Sequence, residues 1–256
     1  MKIYKIVVQR VHKRDDEAQL DAFSSLLGAY RLDGHVLGRE LMTVSLDRHL
    51  EAYVFVPAND AFASEAKNEW IAKRTNGIVE VGLSEPEFIQ VGDDISEFDG
   101  CSCSVSSSFI LFTTCIQIQS PMRCGNCFRP VPLYRLPRFK NNEFSEVISW
   151  ADDWKACDSL FMNSTTGERF GYREMSQVDS SLSRHGQTIC KHFEQSTGKP
   201  TYYYLHRYYG RSKALEEARP CPRCGGEWRL ADRWHHLFDF RCEKCQLVSS
   251  LSSAVI

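Results

Sequence analysis

The sequence predicts an α+β fold, and three observations predict it. The first ninety residues alternate strand and helix signals in the order β-α-β-β-α-β. One strongly strand-like run and two helical runs follow between residues 107 and 198. Two Cys-x-x-Cys pairs, 17 residues apart, lie near the C-terminal end.

"KIYKIVVQRV" (Lys2–Val11) alternates and is rich in β-branched residues, so it reads as a strand. "DDEAQLDAFSSLLGAY" puts Leu20, Phe23, Leu26 and Leu27 on one helical face, with acids in its first turn and Gly34 as the stop. "ELMTVSL" and "LEAYVFVP" read as two strands joined through "DRH". "SEAKNEWIAKRTNG" is a second helix, with Ser64 as its N-cap and Gly77 as its stop, and "IVEVGL" closes the unit as a strand. This order fits a split βαβ, ferredoxin-like unit, a fold that hosts many functions. The acidic stretch "SEPEFIQVGDDISEFDG" lacks a period and reads as a connector.

Beyond it, "SSFILFTTCIQIQ" (Ser107–Gln119) is strand-like. Phe144, Val147, Ile148, Ala151, Trp154 and Cys157 recur at helical spacing, as do Leu182, Ile189 and Phe193 in a helix that Gly198 ends. "TYYYLHRYY" is an aromatic strand. The expected division is a ferredoxin-like unit at 1–90, a connector and strand at 91–119, a mixed α/β region at 120–218 and a Cys-rich antiparallel module at 219–256.

An apolar fraction of 43% and a charged fraction of 25% are those of an ordinary globular protein. No segment approaches the ~18 apolar residues of a membrane span. The N-terminal apolar run is too short for a secretory signal, so a cytoplasmic location is expected. The net charge of −2 divides unevenly: −7 over residues 1–119 and +4 over residues 199–256. The acidic half suits a basic partner.

Cys221, Cys224, Cys242 and Cys245 match the C-x₂-C-x₁₅₋₂₀-C-x₂-C pattern of a zinc site. Four thiolates fill the tetrahedral shell of Zn²⁺ and leave no position for water, so this metal holds a shape. "EWRL" and "LFDFRC" would supply two strands of an antiparallel zinc ribbon. His235 and His236 lie between the pairs and read as hairpin packing rather than ligands. Cys124-Gly-Asn-Cys127 has no paired partner motif. It reads as a turn with buried thiols, as a second metal site completed by two of Cys101, Cys103, Cys115, Cys157 and Cys190, or as a redox pair. The redox reading is disfavoured because "FRPVP" follows, where a helix should start. No nucleophile elbow, HExxH, P-loop or dinucleotide fingerprint is present, so no enzyme is expected.

"CGNCFRPVPLYRLP", "ACDSLFMNSTTGERFGYREMSQVDSSLS", "GKPTYYYLHRYYGRS" and "CPRCGGEW…LFDFRCEKC" resemble a bacterial zinc-ribbon family of undefined function, described as a candidate nucleic-acid binder. The two-motif layout is also similar to the double-CxxCG immunity proteins of bacterial toxin systems, although Phe128 stands where that motif has glycine. The second resemblance implies a protein that neutralises a toxin by protein–protein contact. Candidate contacts for a basic protein partner are Asp15, Asp16, Glu17, Asp93, Asp94, Glu97 and Asp99. The alternative is nucleic-acid binding through Arg207, Arg211, Arg219, Arg223, Arg229, Arg233, Arg241 and Lys244, with the "TYYY" strand stacking on bases.

Overall fold

A computed structural model of the protein describes residues 1–12, 15–63, 68–95, 100–139 and 141–255. Strand β1 (Lys2–Gln9) turns Tyr4, Ile6 and Val8 to one side. Helix α1 (Asp16–Leu32) covers that side with Phe23, Leu26, Leu27 and Tyr30. Its inward position near the N-terminus is taken by Gln19, while Leu20 is exposed. Gln19 is satisfied there: its amide donates to the carbonyls of His12 and Val81, at 3.3 and 3.0 Å. Strands β2 (Leu37–Ser45) and β3 (His49–Val56) form a hairpin. Helix α2 (Glu69–Glu80) follows, and strand β4 (Glu87–Asp93) ends the series. The four strands form one antiparallel sheet in the order β2-β3-β1-β4, with a core between that sheet and the two helices.

The closing strand is not where the pattern put it. "IVEVGL" supplies the last turns of α2, where Ile78 joins Ile71 in the core and outweighs the β-propensity of the run. Gly77 lies inside that helix, which stops at Val81 and Gly82 (φ +84°). Asn68 is the N-cap, its Oδ1 accepting from the Ile71 amide at 2.9 Å. Ser64, the expected cap, lies outside the described residues. The acidic "connector" contains β4, which pairs with β1 from Lys2↔Asp93 to Val7↔Glu87.

One compact unit comprises Met1–Gly100, Gln117–Ser120 and Arg129–Ser145. Asp33 is buried in it. Arg138 donates to its carboxylate through Nε and Nη2 at 2.6 and 2.9 Å, and the His35 ring lies 2.8 Å away. Gly34 (φ +76°) permits the turn beside it, where a Cβ would meet Leu133 at 2.5 Å.

The other unit comprises Cys101–Ile116, Pro121–Phe128 and Glu146–Ile256. It holds a six-stranded sheet built from β5 (Phe109–Leu111), β6 (Met122–Cys124), β7 (Thr201–Leu205), β8 (Arg229–Trp234), β9 (Phe238–Cys242) and β10 (Leu247–Ser249). Their spatial order is β6-β5-β7-β10-β9-β8, with β5, β7 and β10 parallel. The run Ser107–Gln119 yields only the short β5. The Cys115 amide is drawn to the Asp158 carboxylate at 2.7 Å, so the chain leaves the ladder there.

Helices α3 (Ser145–Asn163), α4 (Glu168–Ser176), α5 (Ser181–Thr197) and α6 (Lys213–Glu217) complete this unit. The sequence pattern did not mark α4 or α6. Trp150 and Trp154 of α3 pack on Tyr203. Gly186 of α5 lies so close to that ring that a Cβ would meet it at 2.2 Å. Ser180 caps α5, and Gly198 ends it with φ +68°. Among the described residues, no helix is long and apolar enough to cross a membrane.

Candidate metal centres

All eleven cysteines are outside disulfides, and eight of them form two groups. Cys221, Cys224, Cys242 and Cys245 come together as the spacing predicts. Cys124 and Cys127 are joined by Cys101 and Cys103. Within each group all four sulfurs lie within 4.8 Å of one another. The Cys224–Cys242 and Cys101–Cys127 sulfur separations are 3.7 and 3.6 Å. Four bonds of ~2.3 Å to a central tetrahedral ion imply sulfur separations of roughly 3.8 Å, so each group has the size of a one-ion cage.

The knuckles share a backbone. The residue after each second cysteine has positive φ: Phe128 at +61°, Gly225 at +71° and Gln246 at +51°. The Phe128 amide donates to the Cys124 carbonyl at 2.8 Å, and the Gly225 amide to the Cys221 carbonyl at 2.9 Å. Phe128 thus adopts the conformation that glycine adopts at its counterpart. Gly125 is required for a different reason: a Cβ would meet Ser108 Oγ at 1.9 Å.

The segment that follows Cys103 is tied to the knuckle by Asn126. The Asn126 side chain accepts from the Ser107 amide at 3.1 Å and donates to the Val105 carbonyl at 2.9 Å.

Each cluster contains one thiol with a lowered pKa. Burial opposes ionisation of Cys124, but the Ser106 hydroxyl and the amides of Asn126 and Cys127 outweigh it and bring the thiol down to about 7. Cys224 also falls to about 7, led by the Gly226 amide. The neighbours move the other way. Cys101 is raised by burial and by Cys124, and Cys103 by its contact with Cys127. Cys245 is pushed up to about 12 by burial and by Cys224. A first thiolate therefore disfavours ionisation of Cys101 and Cys103 in one group and of Cys242 and Cys245 in the other, and a cation at the centre would offset that repulsion. Metal analysis is expected to give two ions per chain, falling to one in Cys124→Ser. A value of one that the substitution leaves unchanged would eliminate the Cys101–Cys127 centre.

Cys115, Cys157 and Cys190 belong to neither group. Cys157 and Cys190 are buried on helices α3 and α5. After Cys127 the chain runs irregularly to Leu133 with no helix, so the surroundings of a redox pair are absent there. A spacing signal for the second cage was present in the sequence: Cys103 and Cys124 are 20 residues apart, as in a ribbon.

The other candidate residues are largely engaged within the chain. Arg207 pairs with buried Glu216, Arg229 and Arg233 with buried Asp239, Arg241 with Glu243, and Arg223 with Asp179 at 3.6 Å. Arg219 is mostly buried over the rings of Phe240 and Trp228, at 4.0 and 4.8 Å. Burial lowers its pKa to about 10. Arg211 and Lys244 are exposed. Tyr202, Tyr203 and Tyr204 are all buried, so none presents a face for a base.

Asp15 caps α1, accepting from the Glu17 amide at 3.0 Å. Asp16 pairs with Arg10 at 2.7 Å, and Asp93 with Lys2 at 2.8 Å. Asp94 donates its amide to the Met1 carbonyl. The first group follows the C-terminal end of β1 and the second faces its N-terminal end, so they do not form one patch. Glu97 and Asp99 lie outside the described residues.

Residues 103–206 match the model described as Domain of unknown function (DUF2310). Two further domains of unknown function, DUF8589 and DUF8594, match residues 1–92 and 210–255. An uncharacterised protein of Haemophilus influenzae strain Rd is 32% identical over 240 residues, covering 92% of each chain. A second uncharacterised protein of that strain is 39% identical over 165 residues, covering 64% of this chain and 81% of its own. The chain belongs to the family of the first.

Proposed function

We propose that the protein is a non-enzymatic binding scaffold, built around structural zinc, that acts by gripping another protein. Zinc suits both donor sets, because four thiolates complete its tetrahedral shell and leave no site for catalysis. Both cages then fix the shape of the unit that holds the six-stranded sheet and the C-terminal zinc ribbon.

The observation that supports protein binding is the sheet face turned away from α1 and α2. The pairing aligns Met42, Tyr53, Lys5 and Ile89 in one row across all four strands. Met42 is 68% exposed and Val91, beside the row on β4, is 56% exposed. An exposed apolar row crossed by one lysine has the mixed character of a protein interface. The two-motif layout's similarity to double-CxxCG immunity proteins favours a toxin as the partner, although Phe128 stands where that motif has glycine.

Capture from a lysate of cells that make the protein should recover a protein partner that survives moderate salt. Met42→Asp with Ile89→Asp should weaken that complex by roughly 30-fold or more, since a hot-spot loss costs about 2 kcal/mol. Capture of nucleic acid with no protein would overturn the reading.

One feature favours nucleic acid instead: an open groove of about 590 Å³ beside Cys245, whose lining includes Arg184, Lys191 and Arg223. Asp179 and Glu194 line it too and offset much of that charge.

A further inference from the structure

The turn between β8 and β9 is built from histidines where glycine or asparagine would be easier. His235 and His236 have φ of +54° and +58°, and the Leu237 amide donates to the Trp234 carbonyl at 3.2 Å. Two successive positive φ values are those of a type I′ turn, for which Asn-Gly is the preferred pair. A strained histidine here is explained by what it touches.

His235 reaches the other metal cage. Its Nε2 lies 2.9 Å from the carbonyl of Gly125, inside the Cys124–Cys127 knuckle. Its ring stacks on Phe128, the residue that ends that knuckle, at 5.2 Å and 22°. The opposite contact is Trp234, stacked at 4.9 Å and 28°. Phe128 is also held by Phe112 and Phe238, and the Arg123 guanidinium lies 5.8 Å from its ring. The same hairpin carries Cys242 at the end of β9 and follows Cys221 and Cys224. Its base is thus tied to one cage while its tip holds the backbone of the other.

We propose that the two Cys₄ cages are one coupled pair, with His235 as the residue that couples them. This rests on the reading that both cages take zinc. An ion among Cys221, Cys224, Cys242 and Cys245 fixes the hairpin. The fixed tip holds Gly125 and Phe128 in the closed knuckle, so the Cys101–Cys127 cage meets its ion with less ordering left to do. The effect is reciprocal, because each ion raises the affinity for the other by the same factor. Couplings of this kind are roughly 5- to 150-fold. His235 is a positioning residue and takes no part as a ligand.

The test uses the full chain loaded with zinc and titrated with a chelator of known affinity, counting ions released. The native chain should release two zincs in one cooperative step. His235→Ala should still bind two but release them in two steps, with the weaker site lowered by about 10-fold or more. His235→Gly serves as the second variant, because glycine keeps the turn at positive φ while removing the ring, and it should behave as His235→Ala does. A native chain binding one zinc would overturn the two-centre reading itself. Two zincs released independently by the native chain, or a single unchanged step in His235→Gly, would overturn the coupling while leaving both centres standing.

Discussion

A Cys242→Ser chain is expected to lose the ribbon's metal and the order of the six-stranded sheet together. Cys242 ends β9 and pairs with Leu247 of β10. β10 in turn lies between β9 and β7, hydrogen-bonded to Tyr203, Tyr204 and Leu205 in parallel register. The damage therefore does not stop at a C-terminal module. Structural zinc contributes an apparent ~10–16 kcal/mol to folding, as much as the whole stability of an ordinary domain at ~5–15 kcal/mol. Elemental analysis should show the loss of an ion, and hydrogen exchange should show lost protection at residues 201–205. Slow exchange at the Tyr203 amide in the metal-poor variant would mean that the sheet stands without its ribbon.

Asp33→Ala should destabilise the other unit without touching either cage. The carboxylate is 1% exposed and receives two bonds from Arg138 while also meeting His35. Removing it leaves a mostly buried guanidinium without that partner, a defect worth about 3–5 kcal/mol. Chemical denaturation of the zinc-loaded protein should show the loss, with metal content unchanged.

The same group predicts an acid sensitivity. Burial would raise the Asp33 pKa, but the bonds from Arg138 and His35 prevail and hold it below the usual carboxylate value. A carboxyl lowered on folding stabilises fully above its unfolded value of ~3.9, and that contribution is lost as pH falls through the folded value. The native unit should lose stability over that acidic range more steeply than Asp33→Ala does. Matching acid limbs for the two would contradict the assignment.

Amphipathic periods made the long elements legible. Phe23, Leu26 and Leu27 announced α1, and the ribbon spacing announced one cage outright. Short apolar runs were less informative. "IVEVGL" carries strand residues, yet Ile78 earns its place in the core as part of α2. "EFIQVGD" looked like an acidic connector because its strand character shows only when it pairs with β1. Cys101 and Cys103 were visible as candidates, but choosing them over Cys115 needed three-dimensional proximity. The arginines looked free in the sequence because nothing local reveals that Asp239 and Glu216 are buried beneath them. His235 carried no sequence signal for its contact, which depends on a turn meeting a knuckle 110 residues away.

The insertion of β10 beside β7 sets an order of events during synthesis. β5 and β7 can pair once residue 205 has emerged, but the second edge of β7 waits for residues 247–249. At ~5–20 residues per second, roughly forty further residues take about two to eight seconds to add. Throughout that interval a tyrosine-rich strand presents unpaired amides and carbonyls, the surface through which nascent chains join one another. β9 ends in Cys242, and Cys245 lies between it and β10, so two of the four cysteines of that group flank the strand pair that covers β7. On the proposed zinc reading, metal supply at that moment would set how many chains cover their own edge and how many meet a neighbour's first.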